Sequence, residues 1–141
     1  MKKEIFKIMI HEHEIMESLL QDFQEFRELN HEKANELFQE FKWNIEKHMF
    51  AEEKMLYNVY SIWDGNIEGM FEILEQHGEI ISLIKGIEKS YPDKNTVLKL
   101  RDLIKDHFVL EETVLYPNLE KVLNSKQKEM LIQRAQEIIR G

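Results

Sequence analysis

The sequence predicts an all-α protein: an up-down-up-down four-helix bundle with a short fifth helix at its C-terminal end. Three observations carry this. Only two prolines and five glycines punctuate 141 residues, which favours long helices. Breaks fall near Asn30, at Asp64-Gly65-Asn66, at Ser90-Tyr91-Pro92-Asp93 and near Asn124-Ser125, and the long segments between them carry the helical period. The two halves, about 1–64 and 65–124, repeat one plan of helix pairs, and four long helices with short connections close as a bundle.

The first helix is expected over about 3–29, with an apolar stripe of Phe6, Met9, His13, Met16, Leu20 and Phe23. The second, about 31–62, carries Phe38, Phe41, Ile45, His48, Glu52, Met55 and Val59. The third, about 66–89, carries Met70, Ile73, Leu74, His77, Ile80, Ile81 and Ile84. The fourth, about 93–122, carries Leu100, Leu103, Ile104, His107, Glu111 and Val114, with Pro117 inside it to kink or restart it. Asn30, Asn66, Asp93 and Asn124 suit N-caps. A fifth helix, about 126–140, has Met130, Leu131, Ala135, Ile138 and Ile139 on one side and should pack on the outside or end of the bundle. The whole chain, 1–141, is read as one domain, with the bundle over 3–122 built from two helix-pair repeats.

Composition excludes several functions. There is no cysteine, hence no disulfide, thiolate metal site or cysteine nucleophile, which fits a cytoplasmic protein. A net charge of −8 argues against nucleic-acid binding, which needs a basic surface to displace counterions. Lys7 and His11 interrupt the apolar N-terminal run, and no small-residue cleavage site follows, so it reads as helix rather than signal peptide. No apolar run is long enough to span a membrane. No nucleophile motif or phosphate loop appears.

One motif, H-x-x-x-E-E-x-x-L-Y, occurs twice. It begins at His48 and ends at Tyr57, then begins at His107 and ends at Tyr116. Residues four apart share a helix face, so His48 with Glu52, and His107 with Glu111, can reach one metal ion. Glu12-His13 precedes the first copy and Gln76-His77 the second. All six residues, His13, His48, Glu52, His77, His107 and Glu111, lie within apolar stripes. A lone buried histidine is commonly an ordinary core residue, and one H-x-x-x-E pair is commonly a surface pair. Four in-phase histidines with two in-phase glutamates, arranged as a repeat, are not. A buried carboxylate costs several kcal/mol unless it is compensated, and a metal ion compensates it. Imidazole and carboxylate without thiolate suit iron, and also manganese or zinc. Glutamates can bridge two ions, so a dinuclear site follows naturally. The residues alone leave open whether each half binds its own ion. The pattern differs from the ferritin-like Glu-x-x-His arrangement.

These elements, with Leu115-Tyr116-Pro117 after the last, resemble the hemerythrin-like family, specifically the HHE cation-binding domain, over about residues 3–122. The resemblance implies a four-helix bundle with a non-haem di-iron centre, oxo- or hydroxo-bridged, in which Glu52 and Glu111 are the candidate bridging carboxylates. It also implies departures. Oxygen-carrying hemerythrins have five histidines, two of them four apart on the third helix; here Ile73 and Ile81 flank His77 at that spacing. The chain therefore looks like the six-ligand branch found among bacterial stress and sensing proteins. Its expected role is to bind or sense O2 or a similar small diatomic. The alternatives are a stress-defence enzyme acting on hydrogen peroxide or nitric oxide, and an iron storage, delivery or iron-sulfur repair protein. A sensor would need a protein partner.

Other residues receive weaker readings. His11 points about 160° from His13 and should be exposed, as should His31. Glu17, four after His13, is a candidate seventh ligand or hydrogen-bond acceptor, with a solvated role favoured. Glu53 and Glu112 could approach the site from the side, although a partly exposed face is their simpler role. Tyr57 and Tyr116 lie about 180° from His48 and His107 on a regular helix, and so should brace a helix or bundle end rather than meet a metal.

Overall fold

A computed structural model describes residues 6–63, 69–89 and 93–140. Helix α1 runs Lys7–Phe26, α2 His31–Trp63, α3 Met70–Lys89 and α4 Lys94–Leu110. A π-helical turn, Glu111–Leu115, then joins α4 to α5, Tyr116–Val122, and α6 follows at Ser125–Arg140. The stretch from α4 through α5 is the expected fourth helix, so the described residues form a four-helix bundle plus a C-terminal helix. The α1–α2 and α3–α4 pairs are closed by contacts of α1 with α4 and α2 with α3, while α6 lies against α2.

Local chemistry sets the helix ends. Asn30 Oδ1 accepts from Lys33 N at 3.0 Å, and Asp93 Oδ1 accepts from Thr96 N at 2.7 Å. Asn124 and Gln127 exchange side-chain and backbone bonds in a reciprocal capping box. Asn66 lies outside the described residues. Gly69 opens α3 at φ +88°, and a Cβ there would meet Val114 Cγ1 at 3.2 Å; both its backbone and its space favour glycine.

Two apolar clusters fill the bundle. One gathers Met16, Ile45, Ile80, Ile104 and Phe108. The other gathers Phe6, Met9, Met55, Ile73, Leu115 and Leu119, with Leu131 and Ala135 from α6 closing it. The expected stripes form this core with four exceptions. Leu74 and Ile81 are more than a third exposed, because Met70, Ile73, His77, Ile80 and Ile84 centre the buried face of α3 and leave these two at its rim. Leu103 and Val114 are only partly buried. On α6, Met130 also stays exposed while Leu131 and Ala135 are buried. Between the two apolar clusters lies a layer of polar side chains.

Candidate metal centre

That layer holds all six predicted residues. His48, Glu52, His107 and Glu111 have no exposed surface, and His13 and His77 retain 2%. Each comes from a helix whose neighbouring core residues sit one turn above and below: Met9 and Met16 about His13, Ile73 and Ile80 about His77. The periodicity that builds the core therefore also aims the imidazoles inward.

The six side chains form two groups that share both carboxylates: His13 and His48 with Glu52 and Glu111, and His77 and His107 with the same two glutamates. In the first group His13 Nε2 stands 2.8 Å from Glu111 Oε1, and His48 Nε2 stands 3.2 Å from Glu52 Oε2. In the second, His77 Nε2 is 3.0 Å from Glu52 Oε1, and His107 Nε2 is 3.2 Å from Glu111 Oε2. Each glutamate thus turns one oxygen to each histidine pair. The histidines segregate by half, and the carboxylates do not.

The outer faces of the imidazoles decide what the inner faces can do. His13 Nδ1 meets Glu112 Oε2 at 2.7 Å, and His77 Nδ1 meets Glu53 Oε2 at 2.8 Å. These bonds cross between halves, each second glutamate of the motif serving the other half's first histidine. His107 Nδ1 meets Gln76 Oε1 at 2.8 Å. Carboxylate and amide oxygens only accept, so Nδ1 donates in all three and Nε2 of a neutral ring presents a lone pair. Lone pairs then face carboxylate oxygens, and His13 Nε2 also faces His48 Nε2 at 3.1 Å. His107 Nε2 and Glu111 Oε2 are buried without a hydrogen-bond partner. Acceptors converging on acceptors in an apolar interior are repulsive unless protons or metal cations lie among them. The donor set therefore fits metal ions, with outer acceptors fixing the His13, His77 and His107 rings as metal-bound histidines require, while His48 Nδ1 is buried without a partner.

The family model described as Hemerythrin HHE cation binding domain matches residues 4–119. The chain belongs to this hemerythrin family. A protein named DNA nickase, from Nostoc sp. (strain PCC 7120 / SAG 25.82 / UTEX 2576), is 30% identical over 101 residues, 70% of this chain and 29% of that protein. The chain thus spans less than a third of that relative's length. No solved structure matches.

Electrostatics in this hemerythrin site follow from burial and charge. Burial alone would push the His48 imidazole toward neutrality, but Glu52 and Glu111 beside it prevail and raise it to about 10. His107, subject to the same opposition, rises to about 9. Burial would also raise the Glu52 carboxyl, yet His48 and the surrounding hydrogen bonds hold it well below the usual carboxylate range. Glu111 is lowered as well; burial and the Glu52 charge oppose this, and His107 overcomes them. Without a cation, protons on imidazole would balance the two carboxylates. A metal ion has to displace those protons.

Tyr116 departs from the sequence expectation. Its hydroxyl donates to Glu52 Oε2 at 2.8 Å and lies 3.4 Å from His13 Nε2. Burial, with Glu111 and Glu52 nearby, pushes the phenol well above its ordinary value. The cause of the misplacement is the π-helical turn. The Tyr116 N–H bonds to the carbonyl of Glu111, five residues back rather than four, which brings the tyrosine round above the glutamate. Tyr57, its counterpart on the unbroken α2, is 71% exposed. The signal available in the sequence was Pro117, which stands where the first copy has Asn58. Proline removes a ladder N–H and crowds the carbonyl four residues back.

Phe108 was also missed. Its ring stacks on His13 with centroids 3.8 Å apart, and Phe6 stacks on Tyr116 at 4.8 Å. Glu53 and Glu112 do reach the site from the side while staying partly exposed. His11, His31 and Glu17 are exposed. Glu17 joins neither group of converging ligand atoms, because its turn of α1 lies beside the α4 surface near Leu98 and Arg101.

Proposed function

We propose that this hemerythrin domain holds two iron ions and binds or senses O2 or a similar small diatomic. The observation that carries the reading is the shared pair of carboxylates: Glu52 and Glu111 each offer one oxygen to each histidine pair. His13 and His48 would hold one ion, His77 and His107 the other, and the glutamates would bridge them. Histidine-carboxylate donors without thiolate suit iron that keeps positions open. Bound iron would supply a reversible one-electron change at each ion. The chain's own residues orient and insulate. Glu112, Glu53 and Gln76 fix the rings through Nδ1, Phe108 braces His13, and the apolar layers on either side keep bulk water out.

A second reading is favoured by Tyr116. A buried phenol oxygen among the converging ligand atoms gives the site a protein group beyond the six, which suits reaction with peroxide or nitric oxide over simple carriage. The name of the Nostoc relative gives no reason to propose DNA cleavage here, since the match covers 29% of that protein and this chain carries −8. Among the described residues no helix is long and apolar enough to cross a membrane; we propose a cytoplasmic setting and, for a sensing role, a protein partner that reads the site.

The test is metal analysis with absorption spectra of the anaerobically reduced protein before and after O2. Two irons per chain and a near-ultraviolet band on oxidation are expected. A visible oxygenated band that reverses on removing O2 supports binding or sensing. Direct oxidation with peroxide or nitric oxide turnover supports the second reading, and ready transfer of iron to an acceptor supports storage or delivery. No iron after reconstitution would overturn all three.

A further inference from the structure

We infer that the two metal positions are chemically unequal: the Tyr116 oxygen is a fifth protein donor to the His13/His48 position, and the His77/His107 position takes the exogenous small ligand. This rests on the dinuclear reading above. The near-symmetry of the chain makes the inequality visible. Histidines, shared glutamates and outer glutamates all occur in matched pairs about the centre. The tyrosines do not. Tyr116 stands 2.8 Å from Glu52 Oε2, the oxygen that faces His48, and 3.4 Å from His13 Nε2. Glu111 Oε1, which faces His13, is 3.5 Å away. Those three atoms all belong to the first group. Tyr57, which would serve the second group by the repeat, is exposed on α2.

The four donor residues of the first group thus become five with Tyr116, while the second group keeps four. A pocket of about 440 Å³ is lined by Phe6, Ile10, Glu112 and Tyr116 on the first side, where the Tyr116 ring stacks on Phe6 and lies 6.0 Å from the His13 ring. An incoming ligand on that side meets the tyrosine before the metal position.

The experiment uses full-chain protein loaded with iron-57 and oxidised, compared with Tyr116→Phe, which keeps the ring and its stack on Phe6. Mössbauer spectra of the wild type should show two quadrupole doublets of equal area. Coordination breaks the Tyr116 O–H bond and releases its proton to solvent, and a visible phenolate-to-iron charge-transfer band should be present. In Tyr116→Phe, with unchanged helicity and iron content, the band should vanish and one doublet should shift. Azide added to the wild type should shift the other doublet. A single doublet in the wild type, an unchanged spectrum in Tyr116→Phe, or azide and the substitution moving the same doublet would each overturn the inference while leaving a di-iron site standing. Failure to bind two irons would instead overturn the reading on which it rests.

Discussion

Glu112→Ala should weaken one metal position and spare the other. The Glu112 carboxylate accepts from His13 Nδ1 at 2.7 Å, fixing the ring so that Nε2 faces inward and raising its basicity as a ligand. Removing such an outer partner typically costs 10–100-fold in metal affinity. Glu112 is 38% exposed, so water replaces part of the lost bond and the low end applies: about 10-fold, or about 1.4 kcal/mol. Glu53 is 47% exposed and its loss should cost somewhat less, at the other position. Zn(II) titration of metal-free protein against a competing chelator resolves the two stepwise constants. Glu112→Ala should lower one and Glu53→Ala the other. Glu112→Gln retains an acceptor oxygen and should fall between wild type and alanine. If Glu112→Ala leaves both constants within twofold of wild type, the outer glutamates are surface residues and the argument from their hydrogen bonds fails.

Loading metal-free protein with Zn(II) near pH 7.5 should release about two protons per chain, because His48 and His107, raised to about 10 and about 9, hold them there; a weakly buffered titration with indicator dye measures this, and no release would refute the assignment. The same shifts set the stability of metal-free protein. Their contribution is complete below the ordinary imidazole value of 6.5 and declines as pH rises through 9–10, while that of the lowered Glu52 and Glu111 is lost as pH falls from 4.5. Thermal melts should therefore be highest between those limits, and a melting temperature still climbing at pH 9 would contradict it. Asp93→Ala removes the N-cap of α4 and should lower the urea unfolding midpoint, with an unchanged midpoint counting against the cap. Gly69→Ala should cost about 1–2 kcal/mol from its positive φ, with the Val114 contact adding to it; an unchanged unfolding midpoint would mean the turn relaxes freely.

How far the sequence could be read depended on which physical rule set each position. The four stripes and three described caps are local: a 3.6-residue period and a side-chain oxygen three residues from an N–H are written in the chain. The six buried polar residues were legible for the same reason, because a carboxylate in phase with a core stripe demands a partner. The sharing of Glu52 and Glu111 was implied by the family resemblance but was not legible in the residues themselves. It depends on how far two helix pairs approach, which no spacing encodes. Nor were the crossed Glu53–His77 and Glu112–His13 bonds, since each joins residues of opposite halves.

Tyr116 marks the sharpest limit. Both copies of the motif read alike through the tyrosine, and a regular helix would send both rings away from the metal layer. One does leave, and the other is turned inward by a single widened turn between Glu111 and Leu115. The difference in sequence is one residue later, Asn58 against Pro117. A proline at that place cannot continue the ladder behind it, and widening the preceding turn is one of several accommodations open to a helix. Which one occurs is set by packing: the widened turn carries the Tyr116 ring onto Phe6 and its hydroxyl onto Glu52. An exposed tyrosine is thereby exchanged for one stacked and hydrogen-bonded inside the core. A duplicated motif therefore reports where ligands can be placed, and its one broken repeat reports where the two halves have ceased to do the same thing.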